Sequence, residues 1–217
     1  MSLARCVHVV TAVVALSALT LQLVLSASGS AVLLATEVPP LGTRLWRLIS
    51  YFTIQSNVLV AASAVMLALD PQRDGRVFRI VRLAGLVGIT VTGLVHFFLL
   101  RPLLDLSGWS FVADTMLHMV VPVLCVAGWL LVGPRSRVDV PAVVGATVWP
   151  VLWLAATLIV GGITDWFPYP FVNFRAEGWP AVAITCLGIL LLFAVLFVAV
   201  WFADRWLRGI RDRGVQA

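Results

Sequence analysis

The sequence predicts an all-α membrane protein: a single bundle of six transmembrane helices spanning residues 1–217, with both chain ends on the cytoplasmic side. Three observations predict it. Of the 217 residues, 61% are hydrophobic and only 12% are charged. That is too little charge to cover a soluble domain, so lipid is the expected solvent for most of the outside. Six apolar runs reach the roughly 20 residues a helix needs to cross the hydrocarbon. The basic residues gather on alternate loops.

The runs, in order, are 7–28, 49–69, 77–100, 112–132, 143–163 and 180–202. Turn and charge signals separate them, most clearly "DPQRDGR" at 70–76 and "GPRSRVD" at 133–139. The first run follows Arg5 and precedes the small residues "SASGS". It is longer than the roughly 7–15 residue core of a secretory signal, so it is read as a retained helix. Arg5, Arg73, Arg76, Arg79, Arg82, Arg135, Arg137, Arg205, Arg208, Arg211 and Arg213 fall on one side of this topology. Arg44, Arg47, Arg101 and Arg175 fall on the other. The richer side is expected in the cytoplasm and the protein in the cell (inner) membrane, with the first, third and fifth loops outward.

Every basic residue is arginine and the formal net charge is +5. Their placement in short segments between apolar runs fits topology signals and contact with anionic membrane lipids, and argues against a nucleic-acid partner. The basic tail from 204 to 217, with Trp201 and Trp206 beside it, is expected on the inner leaflet. Cys6, Cys125 and Cys186 form no CxxC pair and no zinc spacing, and read as small buried hydrophobes. No oligomeric state is legible.

Polar groups inside a membrane are expensive, so each needs a reason. On the second run, "SYFTIQSN" puts Ser50, Thr53, Ser56 and Asn57 on one helix face, with Gln55 pointing away from it. In this topology Thr53 lies about 6 Å below the outer boundary and His118, on the fourth run, about 8 Å below it. His96 ends the third run at a similar depth. The polar groups of three helices therefore share one level, which predicts one pocket beneath the outer surface. A histidine beside a hydroxyl is the minimal unit of nucleophilic acyl transfer. Thr53 is the candidate nucleophile and His118 the candidate base. Asp114, four residues before His118, can hold the second imidazole nitrogen. Asn57 can donate to an oxyanion.

Structural readings stand beside these. A transmembrane threonine commonly bonds back to its own helix, serine and asparagine commonly join helices, and Asp114 suits the positive end of the fourth helix. His8 is read as a residue at the cytoplasmic edge. The fifth loop, "DWFPYPFVNFRAEGWP" at 165–180, reads either as an aromatic belt at headgroup depth or as a stiff lid that holds Tyr169 or Asn173 over the pocket. His96 with His118 is also the residue pair of a bis-histidine haem or a quinone site. A non-enzymatic lipid-binding protein is the third reading.

"YFTIQSNVLV", "DTMLHMVVPV" and "WFPYPFVNF", in this order, resemble the six-pass membrane family related to the androgen-induced and androgen-dependent TFPI-regulating proteins, in its bacterial branch. The resemblance covers nearly the whole chain in order, spacing and helix number. Animal members are threonine hydrolases of fatty acid esters of hydroxy fatty acids. The resemblance implies that Thr53 is the nucleophile, that His118 is the base and that Tyr169 to Phe171 match an aromatic motif. Two departures stand out. His118 to Pro122 is one residue shorter than in the animal proteins, and those carry a second histidine where Thr115 or Met116 stands here. The resulting expectation is a Thr–His ester hydrolase acting on a lipid ester, with Ser50, Asn57, Asp114, Tyr169 and Asn173 in support. It needs no metal or organic cofactor. Arg101 can pair a substrate carboxylate or a lipid phosphate.

Overall fold

A computed structural model describes residues 2–29, 38–134 and 138–214. The helices are α1 (Leu3–Ser28), α2 (Leu41–Ser50), α3 (Phe52–Leu69), α4 (Arg76–Val95), α5 (Gly108–Thr115), α6 (Val121–Leu131), α7 (Val140–Thr164), α8 (Phe174–Glu177) and α9 (Trp179–Gly214). Two π-helical segments carry the helices onward: His96–Leu100 extends α4, and Met116–Val120 joins α5 to α6. Among the described residues there is no strand. Six helices are long and apolar enough to cross a membrane: Leu3–Ser28, Phe52–Leu69, Arg76–Leu103, Gly108–Leu131, Val140–Thr164 and Trp179–Arg208.

α3 and α4 form the centre of the bundle. Ala15 of α1, Val60 and Ala61 of α3, Ile89 of α4 and Val121 of α6 make one buried cluster. Leu83, Val87 and Val91 of α4 pack with Ala142 and Ala146 of α7 and Phe197 of α9 in another. Small residues at these contacts let helix backbones approach closely, which matters in lipid because burial of apolar surface no longer drives association. α7 and α9 lie at the periphery, where Leu152, Ile159, Ile163, Leu187 and Leu191 are exposed. An apolar outer face of this kind has lipid as its fitting solvent.

Contacts sort the structure into two ends. At one end, Arg5 donates to the Leu69 carbonyl, His8 Nε2 lies 2.8 Å from the Gly133 carbonyl, and the Val138 amide donates to buried Asp204. The N-terminal end of α1 and the distal part of α9 therefore share an end. His8 is not idle there, because it ties α1 to the loop after α6. Arg135 and Arg137 lie outside the described residues.

Two sequence expectations are corrected. The second span begins at Phe52 rather than at 49, because the chain breaks at Tyr51 (φ −68°, ψ 129°). Ser50 therefore belongs to α2, where its Oγ donates to the Trp46 carbonyl at 2.8 Å. Trp153 Nε1 donates to the Ser50 carbonyl at 2.9 Å, satisfying a C-terminal carbonyl of α2 and stabilising the break. The last helix does not stop near 202 but runs to Gly214. Asp204 pairs with Arg208 one turn on and with the start of α7, which anchors the helix beyond its apolar stretch.

At the other end, the fifth loop folds into a 3-10 turn (Pro170–Val172) and α8. Trp166 stacks edge-on against Trp46 of α2 and Tyr51, with ring centroids 5.3 and 5.9 Å apart. Phe167 lies over Gly161, where a Cβ would stand 2.2 Å from its ring. The loop is thus packed onto the bundle.

Candidate functional site

Thr53 is the second residue of α3, so its amide is one of the unpaired N–H groups at that helix N-terminus. Tyr51, the capping residue, makes no side-chain cap. Tyr169 from the fifth loop supplies one: the Thr53 amide donates to its Oη at 3.1 Å. The same Oη lies 3.1 Å from Thr53 Oγ1. Tyr169 is buried, and that burial pushes its phenol up to about 12, so it stays protonated as a donor at neutral pH.

Thr53 Oγ1 lies 3.2 Å from His118 Nε2. His118 Nδ1 lies 2.9 Å from Asp114 Oδ1 and 3.0 Å from the Asp114 carbonyl. Both of the latter groups are acceptors, which assigns the imidazole proton to Nδ1 and leaves Nε2 to accept from Thr53. The result is a directed chain from Thr53 through His118 to Asp114. It sits at the positive end of α3, which favours negative charge developing on Oγ1.

Local sequence explains how His118 comes to face Thr53. Pro122 has no N–H and cannot donate to the carbonyl of His118, and the helix widens to a π-helix at Met116–Val120. Gly93 of α4 lets that backbone come close, since a Cβ there would stand 3.1 Å from the His118 carbonyl. Pro102 likewise follows the π-helical His96–Leu100 segment. Both histidines at this level therefore sit on widened helix turns.

His96 is almost wholly buried, at 2% exposure. Its ring stacks on that of His118 with centroids 3.9 Å apart and planes 12° from parallel. Its Nε2 is 3.0 Å from Asp114 Oδ1, yet neither ring nitrogen makes a well-directed hydrogen bond. Side-by-side rings at this distance leave no room for a haem plane between them in this arrangement. The sequence reading placed His96 at the level of the pocket and gave it a role only in that haem or quinone pair. Its closeness to Asp114 depends on how α4 and α5 are rotated, and their one signal in sequence is their common depth.

The remaining expected residues divide. Asn57 is fully buried, and its Nδ2 donates to the Thr53 carbonyl at 2.8 Å and the Leu117 carbonyl at 3.3 Å. Its amide nitrogen is thus engaged in tying α3 to the His118 segment. Ser56 bonds to Thr92 of α4 at 2.9 Å. Gln55 turns outward, as expected, and accepts from Trp149 Nε1 at 2.7 Å. Ser50 and Asn173 are not brought to the site. Asn173 caps α8, accepting from the amides of Arg175 and Ala176. Arg101 lies exposed beside Phe97 and Met119.

Two cavities meet at Thr53 and Tyr169. The first, about 170 Å³, reaches from His96, Asp114 and His118 past Leu100, Leu104 and Leu117 to Arg44 and Arg47. The second, about 120 Å³, is walled by Phe52, Trp153, Leu154, Phe171, Ile189 and Phe193. No family model, curated protein or solved structure matches this chain.

Proposed function

We propose that this protein is an intramembrane lipid-ester hydrolase that uses Thr53 as nucleophile and His118 as base. The observation that carries the reading is the 3.2 Å contact between Thr53 Oγ1 and His118 Nε2, continued at 2.9 Å to Asp114. This is the nucleophile–base–orienting group arrangement that activates a hydroxyl.

In the reaction, Thr53 Oγ1 attacks the ester carbonyl carbon as its proton passes to His118 Nε2. Asp114 stabilises the resulting imidazolium. The Tyr169 hydroxyl donates to the developing oxyanion. The tetrahedral intermediate collapses, the C–O bond to the alcohol breaks, and His118 returns the proton to that alcohol. Water, deprotonated by His118, then attacks the acyl–Thr53 ester and releases the carboxylic acid, and Thr53 regains its proton.

The two cavities suit an ester with two long apolar arms, one for each side of the scissile bond. Arg44 and Arg47 on the first cavity suit a substrate whose alcohol arm ends in a carboxylate. Both features fit the fatty acid ester of hydroxy fatty acid class, the substrate of the family that the motifs resemble. The excess of arginines near Arg5, Arg79, Arg82 and Arg208 supports a cytoplasmic location for that end, with the site in the outer leaflet of the cell membrane.

The test is labelling of the purified protein by a fluorophosphonate, together with turnover of a branched fatty acid ester in liposomes. Thr53→Ala and His118→Ala are expected to abolish both. Undiminished labelling of Thr53→Ala excludes Thr53 as nucleophile. A folded protein that turns over no ester and tolerates Thr53→Val favours the lipid-binding reading.

A further inference from the structure

The geometry assigns a second role to the histidine pair: His96 Nε2, Asp114 Oδ1 and His118 Nδ1 form a binding site for a divalent transition-metal ion, Zn²⁺ first among them, which switches the Thr53 site off. The switching half rests on the hydrolase reading above; the binding half does not.

The three donor atoms lie within 4.8 Å of one another. The carboxylate oxygen is 3.0 Å from His96 Nε2 and 2.9 Å from His118 Nδ1. Tetrahedral Zn²⁺, with ligands at about 2.0–2.1 Å, places neighbouring ligand atoms about 3.3 Å apart. The carboxylate contacts therefore need to open by only a few tenths of an ångström, while the two stacked rings must tilt apart so that each nitrogen lone pair meets the ion. Two imidazoles and one carboxylate are the donors zinc takes in sites that keep a position open. His96 supplies the independent observation. It is 2% exposed, and its Nε2 lies 3.0 Å from Asp114 Oδ1 without a well-directed hydrogen bond. A buried imidazole left in this state is costly, and coordination satisfies it. All three residues line the first cavity, which provides an entry path and the open coordination position.

Inhibition follows from the tautomer. A neutral imidazole bound to metal through Nδ1 carries its proton on Nε2. His118 Nε2 then donates to Thr53 Oγ1 instead of accepting from it. The ion also takes up the Asp114 charge that would stabilise the imidazolium. The site loses its base.

The experiment uses the full-length protein in detergent, stripped with a chelator and titrated with Co²⁺ and with Zn²⁺. One equivalent of Co²⁺ is expected to give a visible d–d band that Zn²⁺ displaces. Saturating Zn²⁺ is expected to lower fluorophosphonate labelling at least tenfold, and chelator to restore it. His96→Ala and Asp114→Asn should each weaken Co²⁺ binding by about 10- to 100-fold or more. His96→Gln, closer in size, provides a folded control if His96→Ala does not fold. No Co²⁺ band in folded wild type, or binding unchanged in the His96 and Asp114 variants, overturns the site. Metal binding with labelling indifferent to zinc overturns the switch. Metal binding in a protein that is never labelled sinks the hydrolase reading and leaves the ion site standing.

Discussion

Thr53 and His118 are 65 positions apart and sit on different helices, yet Oγ1 of one stands 3.2 Å from Nε2 of the other. The contact is held from both sides. Tyr169 binds the amide and hydroxyl of Thr53, and Asp114 holds the far nitrogen of His118. Neither side chain can drift without leaving a buried polar group unpaired.

Removing either member of the pair should act on chemistry beyond its cost to folding. His118→Ala is expected to slow ester turnover by at least about 10²–10⁴, the usual share of a general base. Thr53→Ser keeps a hydroxyl and should retain measurable turnover, whereas Thr53→Ala should retain none. Rates with a defined ester in liposomes, beside the thermal midpoint of each variant, separate the two effects. A drop in midpoint that tracks the loss of rate would falsify a catalytic role.

Tyr169 predicts a difference in alkaline stability. Burial raises its phenol from an ordinary value of 10.0 to about 12. Below pH 10 both folded and unfolded chains hold the proton and the contribution is intact. Between about pH 10 and 12 the unfolded chain releases it first, so stability falls as pH rises through this window. Tyr51 titrates high for the same reason but is common to both proteins compared. Wild type should lose on the order of 2 kcal/mol more than Tyr169→Phe between pH 9 and 12. Parallel pH curves from chemical unfolding in detergent would rule this out.

Tyr169→Phe should also matter at neutral pH. It removes the donor beside Oγ1 and leaves the Thr53 amide without its partner, at a cost of about 1–3 kcal/mol. We expect kcat to fall by about 10²–10³ if the hydroxyl serves the oxyanion. A change confined to KM assigns Tyr169 to substrate contact alone.

Asn57 is predicted to be a structural residue. Asn57→Ala breaks the tie between the Thr53 and Leu117 carbonyls and should cost about 1–3 kcal/mol. Its signature is a lower unfolding midpoint, with a reduced fraction of active protein and an unchanged kcat per active site. Active-site titration against unfolding curves would show the reverse pattern if Asn57 served the oxyanion.

Gly161 tests the loop as a lid. A Cβ there would come within 2.2 Å of the Phe167 ring, and Phe167 lies in the loop that carries Tyr169. Gly161→Ala should displace the loop, lower labelling and expose Trp166 to solvent quenchers. Normal labelling with a shielded Trp166 would mean that the loop absorbs the change without moving the site.

Much of this architecture is legible in the chain alone. Crossing lipid demands about 20 apolar residues in succession, which is a local, additive property. The six spans follow from it, as does the shared depth of Thr53, His96 and His118. Which faces meet is not local. Tyr169 caps α3 only because Trp46, Tyr51 and Gly161 seat the fifth loop. Ser50 leaves the expected face because the helix breaks at Tyr51, where Trp153 satisfies the freed carbonyl. Asn173 turns to its own helix, as asparagine does wherever unpaired amides lie nearby. His96 meets Asp114 through the rotation of two helices about their axes, and hydropathy along a chain carries no record of that angle. Composition determined the solvent, the number of crossings and the level of the polar groups. Only packing decided which of those groups touch, because contact between helices depends on rotation and close approach rather than on any residue's own preference.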